Sequence, residues 1–347
     1  MAIRVNKAKE IVQSMLETGL RAPELRRAIM LWGPPGVGKT SIIHSAAEEL
    51  GADCTDIRLL LYKPTDLTGY PVLDRETNRA RFAKPAFIPD DDKERPTILF
   101  FDEITSAPPS VQAAAYQPAN DYAIGEHVFP PNVQVVFAGN RTTDRGVAYN
   151  MPSPLANRMV HLELEASLED WKEWALNHGI HPYVIGFLNF RPELLYVFPE
   201  TASFQGFPTP RTWEMASNFL ASANDPEDIE EILIGTIGEG AAIEFLSFLR
   251  LADRVPDAKK ILEGDFEAPE KSPDILYALA GSLVYQLQRS GAKKKVVDHF
   301  MDYLIQFLPA EFATLAMKDA MQTKAHTKII SSPMFPKWAE QNQAVLL

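Results

Sequence analysis

The sequence predicts an α/β fold in which a parallel sheet is sandwiched by helices and followed by an all-α region. Three observations predict it. Gly33-Pro34-Pro35-Gly36-Val37-Gly38-Lys39-Thr40 is a complete G-x-x-x-x-G-K-[ST] loop set between an apolar run and a helical run. Two later runs, Thr97–Asp102 and Val133–Asn140, are almost continuously apolar and end on polar groups, as expected of parallel strands covered on both faces. From Ser167 onward the apolar spacing turns helical.

The first elements follow in order. Ala8, Ile11, Val12, Met15 and Leu16 form one apolar face of a helix over Asn6–Thr18, with Gly19 as its stop. Ala28–Trp32 reads as a buried strand and Ser41–Leu50 as a helix ended by Gly51. A second strand is expected over Cys54–Leu60. Pro and Gly break residues 61–95, where Val72-Leu73 and Arg81-Phe82 flank a hairpin candidate. Asp90–Arg95 is a charged surface loop. After the strand Thr97–Asp102 come a helix over Pro108–Gln117, a hairpin with its tip at Gly125-Glu126, and strands over Val133–Asn140 and Met159–Leu164.

The remainder reads as helices. Ser167 caps Leu168–Leu176, and Pro182–Phe190 and Arg191–Phe198 follow. Thr209 caps a helix that starts at Pro210. Asp228–Ile237, Ala242–Leu251 and Ala258–Glu263 are short helices. Ile275, Leu279, Leu283 and Leu287 recur every four residues, as do Phe300, Leu304 and Leu308; both stripes read as core packing.

Composition narrows the function classes. A chain of 347 residues predicts two or three domains. The net charge of −12 argues against general affinity for nucleic acid, whose phosphates would repel it. The single cysteine, Cys54, rules out an intrachain disulfide and a zinc site built on cysteines; it is expected to be a small buried hydrophobe. His44, His161, His178, His181, His299 and His326 show no metal-ligand spacing. No run is long enough to span a membrane, and the N-terminus lacks a signal-peptide core, so a cytoplasmic protein is expected.

The candidate site residues follow from the loop. Glycines let backbone N–H groups turn inward around phosphates, and a helix N-terminus adds partial positive charge. The expected cradle is Gly33, Pro34, Pro35, Gly36, Val37, Gly38, Lys39, Thr40 and Ser41, with Lys39 on the β/γ-phosphates and the Thr40 hydroxyl on Mg²⁺. Asp102 would hold Mg²⁺, directly or through water, and Glu103 would orient and deprotonate the attacking water. Asn140 is expected to sense the γ-phosphate and that water. Arg158, between Asn140 and the last strand, suggests a cation presented to a neighbouring subunit's nucleotide. Arg211 sits in a helix first turn, where a cation is disfavoured unless a bound phosphate offsets it.

Taken together, these residues resemble an AAA+ ATPase of the MoxR-like group. The match runs through Walker A at Gly33–Thr40, Walker B at Asp102–Glu103, sensor 1 at Asn140, an arginine finger at Arg158 and sensor 2 at Arg211. Asp66-Leu67-Thr68-Gly69 is similar to the short Asp-Leu-x-Gly signature of MoxR proteins. Arg141 stands where many relatives have Pro, and Asn157 where many have Asp; Arg145 is a rival for the finger. The resemblance implies an AAA+ core over 1–165 with hairpin insertions, an all-α lid over 166–252 and a helical extension over 253–347. It also implies ATP and Mg²⁺, a ring that is usually hexameric, and chaperone-like remodelling of a protein partner, often one with a von Willebrand factor A domain. A DNA-dependent AAA+ motor or loader is the first alternative, and a P-loop kinase or monomeric switch the second.

Overall fold

The structure, a computed structural model, describes residues 2–91, 94–144, 149–199, 206–223 and 229–341. It divides into two compact units, Met1–Glu165 and Ala166–Leu347.

In the first unit, β1 (Ile3–Arg4), β2 (Ala28–Trp32), β3 (Asp53–Arg58), β6 (Thr97–Asp102), β9 (Val133–Gly139) and β10 (Met159–Glu165) form one sheet in the order β1-β10-β2-β9-β6-β3. Every pairing in it is parallel. β4 (Pro71–Asp74) pairs with β5 (Arg79–Phe82), and β7 (Ala123–Ile124) with β8 (His127–Val128), as two antiparallel hairpins. Central strands are buried on both faces, which is why β2, β6 and β9 read as almost continuously apolar runs.

α1 (Val5–Arg21) and α2 (Lys39–Glu49) bury Ala8, Val12 and Leu16, and Ile42, Ile43, Ala46 and Ala47. Alternate strand residues on the sheet, including Met30, Leu99, Phe101, Val135 and Phe137, join Val111 and Ala115 in a separate cluster. There the Phe101 and Phe137 rings stack with centroids 5.0 Å apart. The unit also holds the short helices α3 (Pro64–Thr68), α4 (Pro109–Ala114), α5 (Tyr116–Asp121) and α6 (Ser153–Ala156). The single helix expected over Pro108–Gln117 is therefore two pieces. Pro118 lacks the N–H that would bond to Ala114, and its ring crowds that carbonyl, so the continuous ladder fails.

The second unit is helical: α7 (Leu168–Asn177), α8 (Pro182–Phe190), α9 (Pro210–Ser222), α10 (Glu230–Ile237), α11 (Glu239–Leu249), α12 (Ala258–Glu263), α13 (Pro273–Arg289), α14 (Lys294–Phe307), α15 (Ala310–Met321), α16 (His326–Ile330) and α17 (Phe335–Gln341). One apolar core runs through it from Trp171 to Trp338, and Ile275, Leu279, Leu283 and Leu287 are all fully buried. Ser167 caps α7 by accepting from Asp170 N, and Thr209 and Thr212 form a reciprocal capping box on α9.

The helix expected over Arg191–Phe198 is absent. Pro192–Leu195 makes only a 3₁₀ turn, Tyr196 is extended, and Val197 N bonds instead to Pro208 O at 3.0 Å. Pro199 also disfavours helical backbone at Phe198.

Candidate functional site

The carboxyl ends of β2, β9 and β6 lie side by side, the place where open parallel sheets bind ligands. From β2 the chain enters the glycine loop and then α2, whose N-cap is Gly38 with no side chain capping the first turn. Gly36 and Gly38 hold φ of 78° and 109°, the left-handed backbone that an anion-cradling loop needs and glycine adopts without strain. Uncapped N–H groups at a helix start present partial positive charge suited to an anion. Lys39 Nζ reaches back over this loop, donating to Gly33 O at 2.6 Å, Pro34 O at 3.1 Å and Asn140 Oδ1 at 2.9 Å. Thr40 and Ser41 occupy the same first turn.

β6 delivers Asp102, whose Oδ1 accepts from Glu103 N at 2.8 Å. Burial pushes the Asp102 carboxyl up, against the opposing pull of that hydrogen bond and of Lys39. Glu103 has φ of 57°, a left-handed conformation that costs a non-glycine residue roughly 1–3 kcal/mol. Such strain concentrates at functional positions.

Asn140 follows β9, with its N–H donating to Thr105 Oγ1 at 3.0 Å. Thr105 is buried, and a Cβ at Gly139 would stand 2.7 Å from its hydroxyl, so glycine is what lets the two chains approach. Thr105 was not marked by sequence, because a threonine after a Walker-type strand carries no motif of its own. Arg141 is bound as well. Its guanidinium donates to Asp144 Oδ1 at 2.9 Å and to Glu163 Oε1 at 2.6 Å, staples the chain after Asn140 to β10, and is raised by the Asp144 hydrogen bonds foremost.

Lys39, Asp102, Glu103 and Asn140 are thus brought to one end of the sheet. Arg158 lies on the exposed turn after α6, donating to Pro154 O at 2.6 Å, with its guanidinium 5.6 Å from the Tyr116 ring centroid. Among the described residues no carboxylate pairs with it. Arg145 lies outside the described residues. Arg211 is exposed in the first turn of α9, in the second unit.

A further link went unread in the sequence. Trp32 Nε1 donates to His161 Nδ1 at 2.7 Å, and His161 Nε2 lies 2.7 Å from Ala156 O. A carbonyl only accepts, so the imidazole proton sits on Nε2, and the ring ties the strand before the phosphate loop to the end of α6, two residues before Arg158.

One sequence reading needs correction. Cys54 is half-buried rather than a core residue, and its thiol is pushed up to about 12 by burial first and by Asp56 second. Elsewhere in the first unit, His44, Cys54 and Asp56 bring one ligand atom each within 4.8 Å of one another. The chain separation between α2 and β3 hid this cluster.

Residues 29–144 match the family model described as "ATPase family associated with various cellular activities (AAA)". ATPase family gene 2 protein homolog B of Bos taurus is 33% identical over 113 residues, which is 30% of this chain and 14% of that protein. The match therefore spans a small part of the curated relative's length. A mutant of Thermotoga maritima RuvB is 20% identical, covering 82% of this chain and 87% of that chain with a TM-score of 0.42. Thermotoga maritima RuvB described as a Holliday junction branch migration motor is 20% identical, covering 81% and 87% with a TM-score of 0.37. Among the described residues no helix is long and apolar enough to cross a membrane.

Proposed function

From an AAA-type ATPase domain over residues 29–144, we propose a MoxR-like AAA+ ATPase that hydrolyses ATP at the subunit interfaces of a ring, with the cycle moving a protein partner. The observation that carries this reading is the convergence of Lys39, Asp102, Glu103 and Asn140 at the carboxyl end of the sheet, while Arg158 stands exposed on its own turn.

The residues fit the nucleotide and the metal. The uncapped α2 amides and Lys39 suit phosphates; the Thr40 hydroxyl and the Asp102 carboxylate are hard oxygen donors of the kind Mg²⁺ takes. When bound, Mg²⁺ neutralises charge on the phosphates. Lys39 exchanges its carbonyl and Asn140 acceptors for phosphate oxygens. Glu103 takes the proton of the attacking water, and Asn140 holds that water in line, its own backbone fixed by Thr105. Arg158 stabilises transition-state charge at the neighbour's site, and Arg211, from a lid over 166–252, senses the γ-phosphate within its own subunit.

Partner contact is assigned to the paired hairpins. Phe82 N donates to Glu126 Oε1 at 3.1 Å and His127 Nε2 bonds to Phe82 O at 3.0 Å, so the two hairpins act as one body. On and beside that body the apolar side chains of Tyr70, Val72, Leu73 and Val128 are exposed and available to a partner.

The test is Glu103→Gln in the full chain. It is expected to bind ATP, to stop turnover, to hold a ring seen by sedimentation, and to retain a protein partner in a pull-down. A variant that turns over normally would remove Glu103 as the base. DNA that stimulates the wild-type ATPase in a salt-sensitive way would favour the motor reading instead.

A further inference from the structure

His44, Cys54 and Asp56 form a cluster on the outer edge of the sheet that the ATPase reading leaves unused. His44 stands on the solvent side of α2, between the buried pairs Ile42-Ile43 and Ala46-Ala47. Cys54 and Asp56 are two apart on β3, so both side chains leave the same face of the strand. β3 is the terminal strand of the sheet, with β6 its one neighbour. Helix and strand therefore bring an imidazole, a thiol and a carboxylate together at an open margin.

The distances match a specific chemistry. His44 Nε2 lies 3.1 Å from Asp56 Oδ2, Cys54 Sγ lies 3.8 Å from Asp56 Oδ1, and all three ligand atoms fall within 4.8 Å of one another. Bonds of about 2.0–2.3 Å to nitrogen, oxygen and sulfur in a tetrahedral zinc site place neighbouring ligand atoms about 3.3–3.7 Å apart. The two carboxylate contacts, one on each Asp56 oxygen, fall on either side of that spacing, and the three ligand atoms lie within 4.8 Å of one another, a short side-chain adjustment from it. The His44 and Asp56 side chains are 46% and 41% exposed, which leaves an entry path and room for water as a fourth ligand.

We propose that His44, Cys54 and Asp56 bind a borderline-soft divalent cation, Zn²⁺ by donor type, and that the ion clamps α2 to β3. Binding exchanges the thiol proton for a Zn–S bond, and the proton leaves to solvent; the imidazole binds through Nε2 and the carboxylate through one oxygen. A thiolate and an imidazole select against Mg²⁺, which prefers oxygen donors, so the clamp is chemically distinct from the nucleotide's metal. Because α2 grows directly out of the phosphate loop, the clamp anchors the helix whose N-terminus faces that loop.

Co²⁺ is the probe. The reduced, nucleotide-free full chain is titrated with Co²⁺ in the presence of excess Mg²⁺, and absorption is followed in the near ultraviolet and the visible. One Co²⁺ per chain is expected, with a sulfur-to-metal charge-transfer band, intense visible absorption of four-coordinate cobalt, and loss of both on adding Zn²⁺. Cys54→Ser should abolish the charge-transfer band. His44→Gln and Asp56→Asn should each weaken binding roughly tenfold or more, with helical circular dichroism unchanged. No charge-transfer band, a band that forms only at millimolar cobalt, or affinity untouched by His44→Gln and Asp56→Asn would each overturn the proposal.

Discussion

Lys39 Nζ donates to Asn140 Oδ1 at 2.9 Å, joining the start of α2 to the end of β9 across 101 positions of sequence. One side chain supplies charge and the other a neutral amide, so their removal should separate binding from turnover. Lys39→Ala is expected to weaken ATP binding about 10–100-fold, the scale of charge-assisted hydrogen bonds worth roughly 1.5–3 kcal/mol. Asn140→Ala should leave affinity within about threefold and cut kcat by about 100-fold. Fluorescent-nucleotide binding and steady-state hydrolysis check both; unchanged affinity in Lys39→Ala would remove the phosphate-loop assignment.

Thr105 acts on the reaction through Asn140. Its hydroxyl accepts the Asn140 N–H at 3.0 Å from a buried position, so Thr105→Val keeps the shape and orphans the amide. The expected result is a kcat lowered by about tenfold at nearly constant KM. Thr105→Ser should restore most of it, because the hydroxyl returns. A variant in which KM and kcat change together would point to general disorder of the loop rather than to a misplaced Asn140.

In the helical unit, Lys172 Nζ and Asp319 Oδ1 pair at 2.7 Å with 9% and 4% of their side chains exposed. Asn189 Nδ2 adds a contact to Asp319 Oδ2 at 3.4 Å. Removing one charge strands the other in the core. Lys172→Met should therefore destabilise by about 3–5 kcal/mol, whereas Lys172→Met with Asp319→Leu should recover most of that loss. Denaturant unfolding of the full chain measures the difference, and equal destabilisation by the single and double variants would contradict it.

The phosphate loop, the Asp102–Glu103 strand end and the Asn140 strand end were legible because each is a local pattern of a few residues with a fixed chemical purpose. The hairpins at Asp74–Arg79 and Gly125-Glu126 were legible for the same reason, since turn residues act within four positions. What stayed hidden depends on residues far apart in the chain. The Thr105–Asn140 bond spans 35 positions, the Trp32–His161 bond 129, and the His44–Asp56 contact two different elements. The two misread helices, at Pro108–Gln117 and Arg191–Phe198, both adjoin prolines: Pro118 lacks the N–H that would continue the first, and Pro199 disfavours helical backbone at Phe198 in the second.

The exposed turn at Arg158 sets up a complementation experiment. Arg158→Ala and Glu103→Gln are each expected to be inactive alone, because one lacks the trans cation and the other its own base. Mixed, some interfaces combine an intact Glu103 with an intact Arg158 from the neighbour, and hydrolysis should return to a fraction of wild type that depends on the mixing ratio. Activity that stays at background in mixed rings of confirmed assembly would assign Arg158 to its own subunit's site or free it from catalysis.

His181 makes the helical unit acid-sensitive. Burial drives its imidazole down to about 4, while its Nδ1 accepts from Tyr183 N at the start of α8. The unfolded chain titrates near 6.5. Between those values the unfolded state holds a proton that the folded state refuses, so unfolding free energy falls as pH drops from about 6.5 to about 4 and levels off below. A gap of that size corresponds to a loss of roughly 3 kcal/mol. His181→Asn keeps a side-chain acceptor for Tyr183 N and removes the titration. Denaturation of the full chain at pH 7 and pH 4.5 should show the wild type losing about 2–3 kcal/mol more than His181→Asn; equal losses would mean that His181 accepts its proton without unfolding.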